Sequence, residues 1–171
     1  MSDYQGSFMK FAVAALVLVL QFSATSFAFQ KGSDFPEGPD TGLTPGSLCS
    51  HPSEHRYPER IPYCQRNVES QLKREIFREY DSKLGYNTRA MDRQDFKIDH
   101  YIPLCMGGSN ERDNLWPQHV SVYTLTDPME GLACEKMAEG KLDQAHAIEL
   151  IKLGKNDFSK IDGVIEELNG L

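Results

Sequence analysis

Phe96-Lys97-Ile98-Asp99-His100-Tyr101-Ile102-Pro103-Leu104, then Gly107-Gly108-Ser109-Asn110, then Asn114-Leu115-Trp116-Pro117-Gln118, is the stretch around which the rest of the chain is organised. Phe96 to Asp99 alternates apolar and polar residues, the period of a strand, and Pro103 cannot donate to a ladder, so a short strand ends soon after His100. Cys105 to Asn110 is rich in turn residues, and Asn114 to Pro117 resumes an extended path before a second proline. Asp127 has the character of a helix N-cap, with Pro128 at the first helical position and Glu130 three residues on; Met129, Leu132, Ala133 and Met137 then share one apolar face. The order is strand, loop, strand, helix.

Outward from that stretch the pattern is helical. Asn67 reads as an N-cap, and Val68, Leu72, Ile76, Phe77 and Tyr80 recur at helical spacing until Gly85. Leu142, Ala145, Ile148 and Ile151 form a second such stripe before Gly154, and Phe158, Ile161, Val164, Ile165 and Leu168 a third. Short strands with several helices predict an α+β fold. Apolar residues at 40% and charged residues at 25% exclude a disordered or fibrous chain.

The N-terminus is a different kind of segment. Phe11 to Phe22 is apolar apart from Gln21, follows Lys10, and leads to Ser26-Phe27-Ala28, a small-x-small cleavage pattern. Residues 1–28 are therefore expected to be a signal peptide, with the protein secreted or periplasmic and off the membrane once cleaved; a membrane span would need about 20 apolar residues. Residues 29–48, with four Gly and three Pro, are expected to be a flexible linker, and residues 49–171 one domain.

Export places Cys49, Cys64, Cys105 and Cys134 in an oxidising compartment, where an even count without any C-x-x-C pair favours disulfides over zinc. Sequence alone permits three pairings; locality favours Cys49 with Cys64 and Cys105 with Cys134.

Asp99-His100-x-Ile102-Pro103-Leu104, the Gly107-Gly108 turn and Asn114-Leu115-Trp116-Pro117, in that order, resemble the HNH endonuclease family, which has a ββα-metal site. The resemblance covers residues 96 to about 140, with weaker likeness upstream through Ile61-Pro62-Tyr63-Cys64 to a group of exported bacterial HNH-type proteins. It implies a small ββα-metal core framed by additional helices, and a low-specificity, metal-dependent endonuclease acting on DNA, with RNA as the second substrate. It further implies Asp99 as metal ligand, His100 as general base, and Asn114 as metal ligand or as the group orienting His100. Cys105 and Cys134 would then lie on the two elements enclosing the metal, which adds to the case for pairing them.

The residue chemistry agrees with such a role. Phosphodiester hydrolysis needs an activated water and positive charge against the phosphate; a histidine near its unperturbed pKa can take the proton, and an Asp oxygen suits a hard cation. Neighbouring strand residues point to opposite faces, an objection that weakens if the strand ends at Asp99 and His100. Many HNH members carry a third histidine on the helix, and this chain has none between His119 and His146. His119, Asp127 and Glu130 are candidates for the missing ligand, His119 first. One divalent ion is expected: Mg²⁺ first, with Mn²⁺, Zn²⁺ or Ni²⁺ behind it.

The formal charge of −7 excludes a protein that coats nucleic acid with a broad basic surface. The charge is uneven, however: residues 56–99 hold ten cations and eight acids, and residues 127–171 five cations and ten acids. Arg74 and Arg78 are the expected phosphate contacts on the more basic side. A monomer is expected. The competing class is a secreted, non-catalytic binding or structural module that keeps the same fold.

Overall fold

The computed structural model describes residues 33–171; the expected signal peptide lies outside the described residues. The fold is α+β, with four α-helices and two two-stranded antiparallel sheets. The first sheet is a small hairpin of β1 (Glu54–Arg56) and β2 (Ile61–Tyr63). Helix α1 (Ser70–Leu84) follows and ends at Gly85, whose φ of 72° is the left-handed cap that glycine adopts without strain. Its N-cap is Glu69, two residues beyond the N-cap that Asn67 suggests.

The central hairpin pairs β3 (Phe96–His100) with β4 (Leu115–His119), in a register that sets Phe96 opposite His119 and His100 opposite Leu115. Pro117 is tolerated because each strand of a two-stranded sheet has an unpaired edge. Between the strands, the Leu104–Met106 turn closes at Gly107, with φ 81°. At Gly108 a Cβ would lie 1.8 Å from the carbonyl oxygen of Ile102, so only glycine lets the loop fold back on the end of β3.

Helix α2 (Val120–Ala138) begins directly at the end of β4, eight residues before the start that Asp127-Pro128 suggests, and Pro128 lies inside it. Proline inside a helix costs about 3 kcal/mol, from one lost bond and a clash. Tertiary structure outweighs it: His119 caps the first turn, Val122 is buried, and Gln118 donates to Thr126 in the interior. Helix α4 (Ile161–Asn169) buries Ile161, Val164 and Leu168 of its expected stripe, whereas α3 (Gln144–Asn156) starts after Leu142, continues past Gly154, and buries Ala147, Leu150 and Ile151 while Ala145 of the expected stripe is exposed.

Two apolar cores result. One joins α1 to the central hairpin through Ile76, Phe77, Tyr80, Phe96, Leu115 and the wholly buried Trp116. The other gathers Met129, Met137, Ile151, Val164 and Leu168 from α2, α3 and α4. Each such side chain contributes about 1.5–3 kcal/mol by leaving water.

Residues 33–48 are not the expected linker. Asp40 accepts from the amides of Leu43 and Thr44. Thr44 is fully buried, its hydroxyl 2.7 Å from the Tyr80 hydroxyl and donating to the Leu115 carbonyl. Leu48 bridges to Gly108, and Phe35 stacks on His119 at 4.0 Å. Turn-forming residues rather than aliphatics fill this segment, so composition conceals how many of its polar groups find partners on the hairpin.

Both disulfides are present as paired by locality, Cys49–Cys64 with Cα atoms 5.6 Å apart and Cys105–Cys134 with Cα atoms 5.9 Å apart. The second ties the turn after β3 to α2.

Candidate active site

His100 is the last residue of β3 and only 3% exposed. Its Nε2 lies 3.0 Å from Asn110 Oδ1, and its Nδ1 lies 3.4 Å from the guanidinium of Arg66. Asn110 is fixed from its other end, donating to the Gln65 carbonyl at 2.9 Å. Arg66 and Asn110 line a cleft of about 640 Å³ together with Ser50, His51, Ser109 and Glu111. The imidazole therefore sits just behind the cleft wall. Burial, with Arg66 adding to it and the Asn110 bond opposing it, drives the His100 pKa down to about 4. The ring is neutral at pH 7, as a proton acceptor must be.

Asp99 lies on the other side of the strand. Both residues stay within the ladder, so the pleat sends their side chains to opposite faces; the strand does not end early enough to bring them together. The Asp99 carboxylate meets Lys155 of α3 at 3.1 Å and Lys97 at 3.7 Å. Lys155 is completely buried; it also meets Glu130 at 2.8 Å and donates to the His100 carbonyl at 2.6 Å. Lys97 makes two contacts with Asp127, at 2.7 and 2.8 Å. Burial alone would raise Asp99, but Lys155 and then Lys97 reverse that and hold it below the usual carboxylate range. Glu130 goes the other way: burial, reinforced by Asp99, pushes it up to about 7 despite Lys155.

The expected ligand set of Asp99, Asn114 and His119 does not assemble. Asn114 is fully buried and its amide is spent on main chain: the oxygen accepts from Ile102 N–H at 2.8 Å, and the nitrogen donates to the carbonyls of Ile102 and Ser109 at 2.9 Å each. It stitches the turn behind His100 and contacts neither a neighbouring carboxylate nor the imidazole. His119 stands opposite Phe96, four residues along β4 from Leu115, roughly 13 Å at strand rise. It packs against Phe35 and Phe96, and its Nδ1 engages Ser121. The hairpin register is the physical reason, because it places the two histidines at opposite ends of one ladder.

In place of that set, ligand oxygens of Asp99, Asp127 and Glu130 all lie within 4.8 Å of one another. Three carboxylates are a hard donor set and fit Mg²⁺ or Mn²⁺ better than Zn²⁺ or Ni²⁺. Lys155 and Lys97 share those oxygens, so a divalent ion there would compete with two fixed ammonium groups.

Arg74 and Arg78 line a separate cleft of about 570 Å³ with Gln71, Phe77, Arg89 and Arg93, away from His100. The cation at the imidazole is Arg66 instead. Sequence reading counted Arg66 only within the basic run, and Asn110 only as a turn residue. Lys155 had a visible signal: it stands seven residues after Ile148 and four after Ile151, on the apolar stripe of α3, where a charge demands a partner.

Comparison of the chain with protein-family models, with curated proteins and with solved structures returns no match.

Proposed function

We propose that this chain is an exported nuclease of the HNH, ββα-metal type, hydrolysing phosphodiester bonds of DNA, with RNA as the second substrate, and with little sequence preference. The observation that carries the proposal is the buried, neutral His100 set beneath an exposed arginine at the edge of a polar cleft. A neutral imidazole and a guanidinium 3.4 Å from it are the base and the positive charge that attack on a phosphodiester calls for. The succession of β3, β4 and α2, clamped by Cys105–Cys134, is in keeping with a ββα core.

In this reading Arg66 binds a phosphate oxygen at the cleft, and His100 accepts the proton of the attacking water. Asn114 holds the backbone on which His100 stands. On the opposite face of β3, Asp99, Asp127 and Glu130 would hold one divalent cation, Mg²⁺ first, while Arg66 supplies the positive charge at the phosphate beside His100. Arg74 and Arg78, in their own cleft, would meet phosphates further along the strand. Both disulfides agree with an oxidising compartment, and no helix among the described residues is long and apolar enough to cross a membrane.

The test is nicking of supercoiled plasmid by the oxidised protein with Mg²⁺, Mn²⁺, Zn²⁺ or EDTA, alongside His100→Ala. Nicking is expected with Mg²⁺ or Mn²⁺, to cease in EDTA, and to fall about 10²–10⁴-fold in His100→Ala. A second reading, a secreted binding module without turnover, is favoured by Lys155, which already neutralises the carboxylates with no ion needed. A folded protein that leaves plasmid, single-stranded DNA and RNA intact with every metal would establish that reading and end the first.

A further inference from the structure

Two neighbours, one able only to donate and one held with its acceptor toward the ring, determine where the His100 ring carries its proton. Arg66 is a donor through every nitrogen and has nothing with which to accept, so the Nδ1 that faces it at 3.4 Å must present a lone pair. Asn110 could in principle turn either end of its amide to the ring. Its nitrogen is committed to the Gln65 carbonyl at 2.9 Å, so its oxygen faces Nε2 at 3.0 Å and must receive a hydrogen. The two constraints arise from different segments and agree.

We propose that Asn110 and Arg66 hold His100 as the Nε2–H tautomer, that Nδ1 is the nitrogen that takes the proton from water, and that Arg66 covers Nδ1 until a phosphate oxygen draws the guanidinium away. This rests on the reading of His100 as the general base and adds to it which nitrogen reacts, which residue positions the ring, and what uncovers it. The burial pattern supports the cover. His100 is 3% exposed while Arg66 is exposed at the cleft, so the route from the cleft to the ring runs past the arginine. A guanidinium bonds an oxyanion more strongly than a neutral imidazole nitrogen, so a bound phosphate competes effectively for it. Once Nδ1 is open, the water proton passes to it and the hydroxyl oxygen bonds to phosphorus as the bond to the 3′ oxygen breaks. That oxygen takes a proton from solvent, and the imidazolium, still donating through Nε2–H to Asn110, returns its extra proton to solvent. Asn110 is thus a positioning residue, and Arg66 serves twice.

The experiment uses the full, oxidised chain labelled with ¹⁵N-histidine. Two-bond proton–nitrogen correlation spectra report each ring tautomer, and His100 is assigned by the signals that vanish in His100→Gln. A protonated Nε2 and a bare Nδ1 are expected at neutral pH; a protonated Nδ1 overturns the proposal. In Asn110→Ala the Nε2–H signal should move and exchange with water several-fold faster, and Asn110→Asp, which keeps an acceptor, should restore its protection; no change in Asn110→Ala removes Asn110 from the role. Acylation of His100 by diethyl pyrocarbonate, followed by mass spectrometry, reads the cover. It should be several-fold faster in Arg66→Met, and inorganic phosphate should raise the wild-type rate toward that of the variant. Equal rates in wild type, Arg66→Met and phosphate-treated protein overturn the cover. Neither readout requires turnover, so the expected tautomer in a protein that cuts no nucleic acid would end the nuclease reading and leave the proton assignment standing.

Discussion

Asp99 and His100 are neighbours in one strand, yet they face opposite environments. Asp99 faces Lys155, Glu130, Lys97 and Asp127, an ionic cluster between β3, α2 and α3 that is buried at Asp99 and Lys155 and reaches the surface at Asp127. His100 faces a cleft, with one exposed arginine and one half-buried amide for company. The difference teaches how a short strand serves two purposes: pleating turns one of two adjacent polar residues toward the protein's own charges and the other toward whatever enters from outside. The two faces are linked at one point, where Lys155 donates to the His100 carbonyl, so the ionic side steadies the backbone that carries the open side.

The largest effect should come from breaking the ionic side. Lys155→Met leaves Asp99 and Glu130 facing each other with only the partly exposed Lys97, 3.7 Å from Asp99, as counter-charge, and should cost about 3–5 kcal/mol in urea unfolding followed by Trp116 fluorescence. The double variant Lys155→Met with Glu130→Gln should recover part of that loss, because one of the stranded charges is gone. If Lys155→Met is as stable as wild type, the cluster carries no such weight and the contrast between the two faces disappears.

One group from each face, His100 and Glu130, should titrate with opposite sign. His100 is depressed from 6.5 to about 4, so between those values the unfolded chain binds the extra proton; its contribution is complete above pH 6.5 and lost as pH falls toward 4. Glu130 is raised from 4.5 to about 7, so there the folded chain binds the extra proton; its contribution is complete below pH 4.5 and lost as pH rises toward 7. Each span corresponds to about 3 kcal/mol, and in wild type the two offset over pH 4.5–6.5. Glu130→Gln should expose the histidine, with stability falling on acidification by about 3 kcal/mol. His100→Gln should expose the glutamate, with stability rising over the same range. Denaturation series at several pH values would show both slopes, and parallel slopes in the two variants would refute the assignment.

Asn114→Ala removes the partner of three buried main-chain groups and should cost about 2–3 kcal/mol while reducing nicking, since the turn behind His100 loosens. Smallest of all, Arg66→Ala should change stability by less than about 0.5 kcal/mol, because Arg66 is exposed and its partner is neutral. A large loss of stability in Arg66→Ala would mean that the open face is structural after all.

The central hairpin, α1 and α4 were readable because each carries a local signal: the alternation of Phe96 to Asp99, the Gly107-Gly108 turn, and the stripes of the two helices. The β1–β2 hairpin was not, because Pro58 and Pro62 make its two three-residue strands look like loop. The start of α2 was not, because Asp127-Pro128 is a local start signal overruled by a cap at His119 and by burial of Val122 and Thr126. The order along residues 33–48 was hidden for a related reason, since its stabilising bonds reach Tyr80, Leu115 and Asp113, far along the sequence.

For the candidate site the division is similar. The residues themselves determined that Asp99, His100 and Asn114 would fall at the hairpin, that the cysteines would pair within an oxidised chain, and that Asp127 and Glu130 were candidate oxygen donors. Only the tertiary structure decided that Asn114 binds main chain, that His119 lies at the far end of the ladder, and that Lys155, Arg66 and Asn110 surround the strand's last two residues. Periodicity and turn chemistry act over a few residues and leave a mark in the sequence. The partners of a buried charge are set by strand register and helix packing across tens of residues, and no local pattern records them.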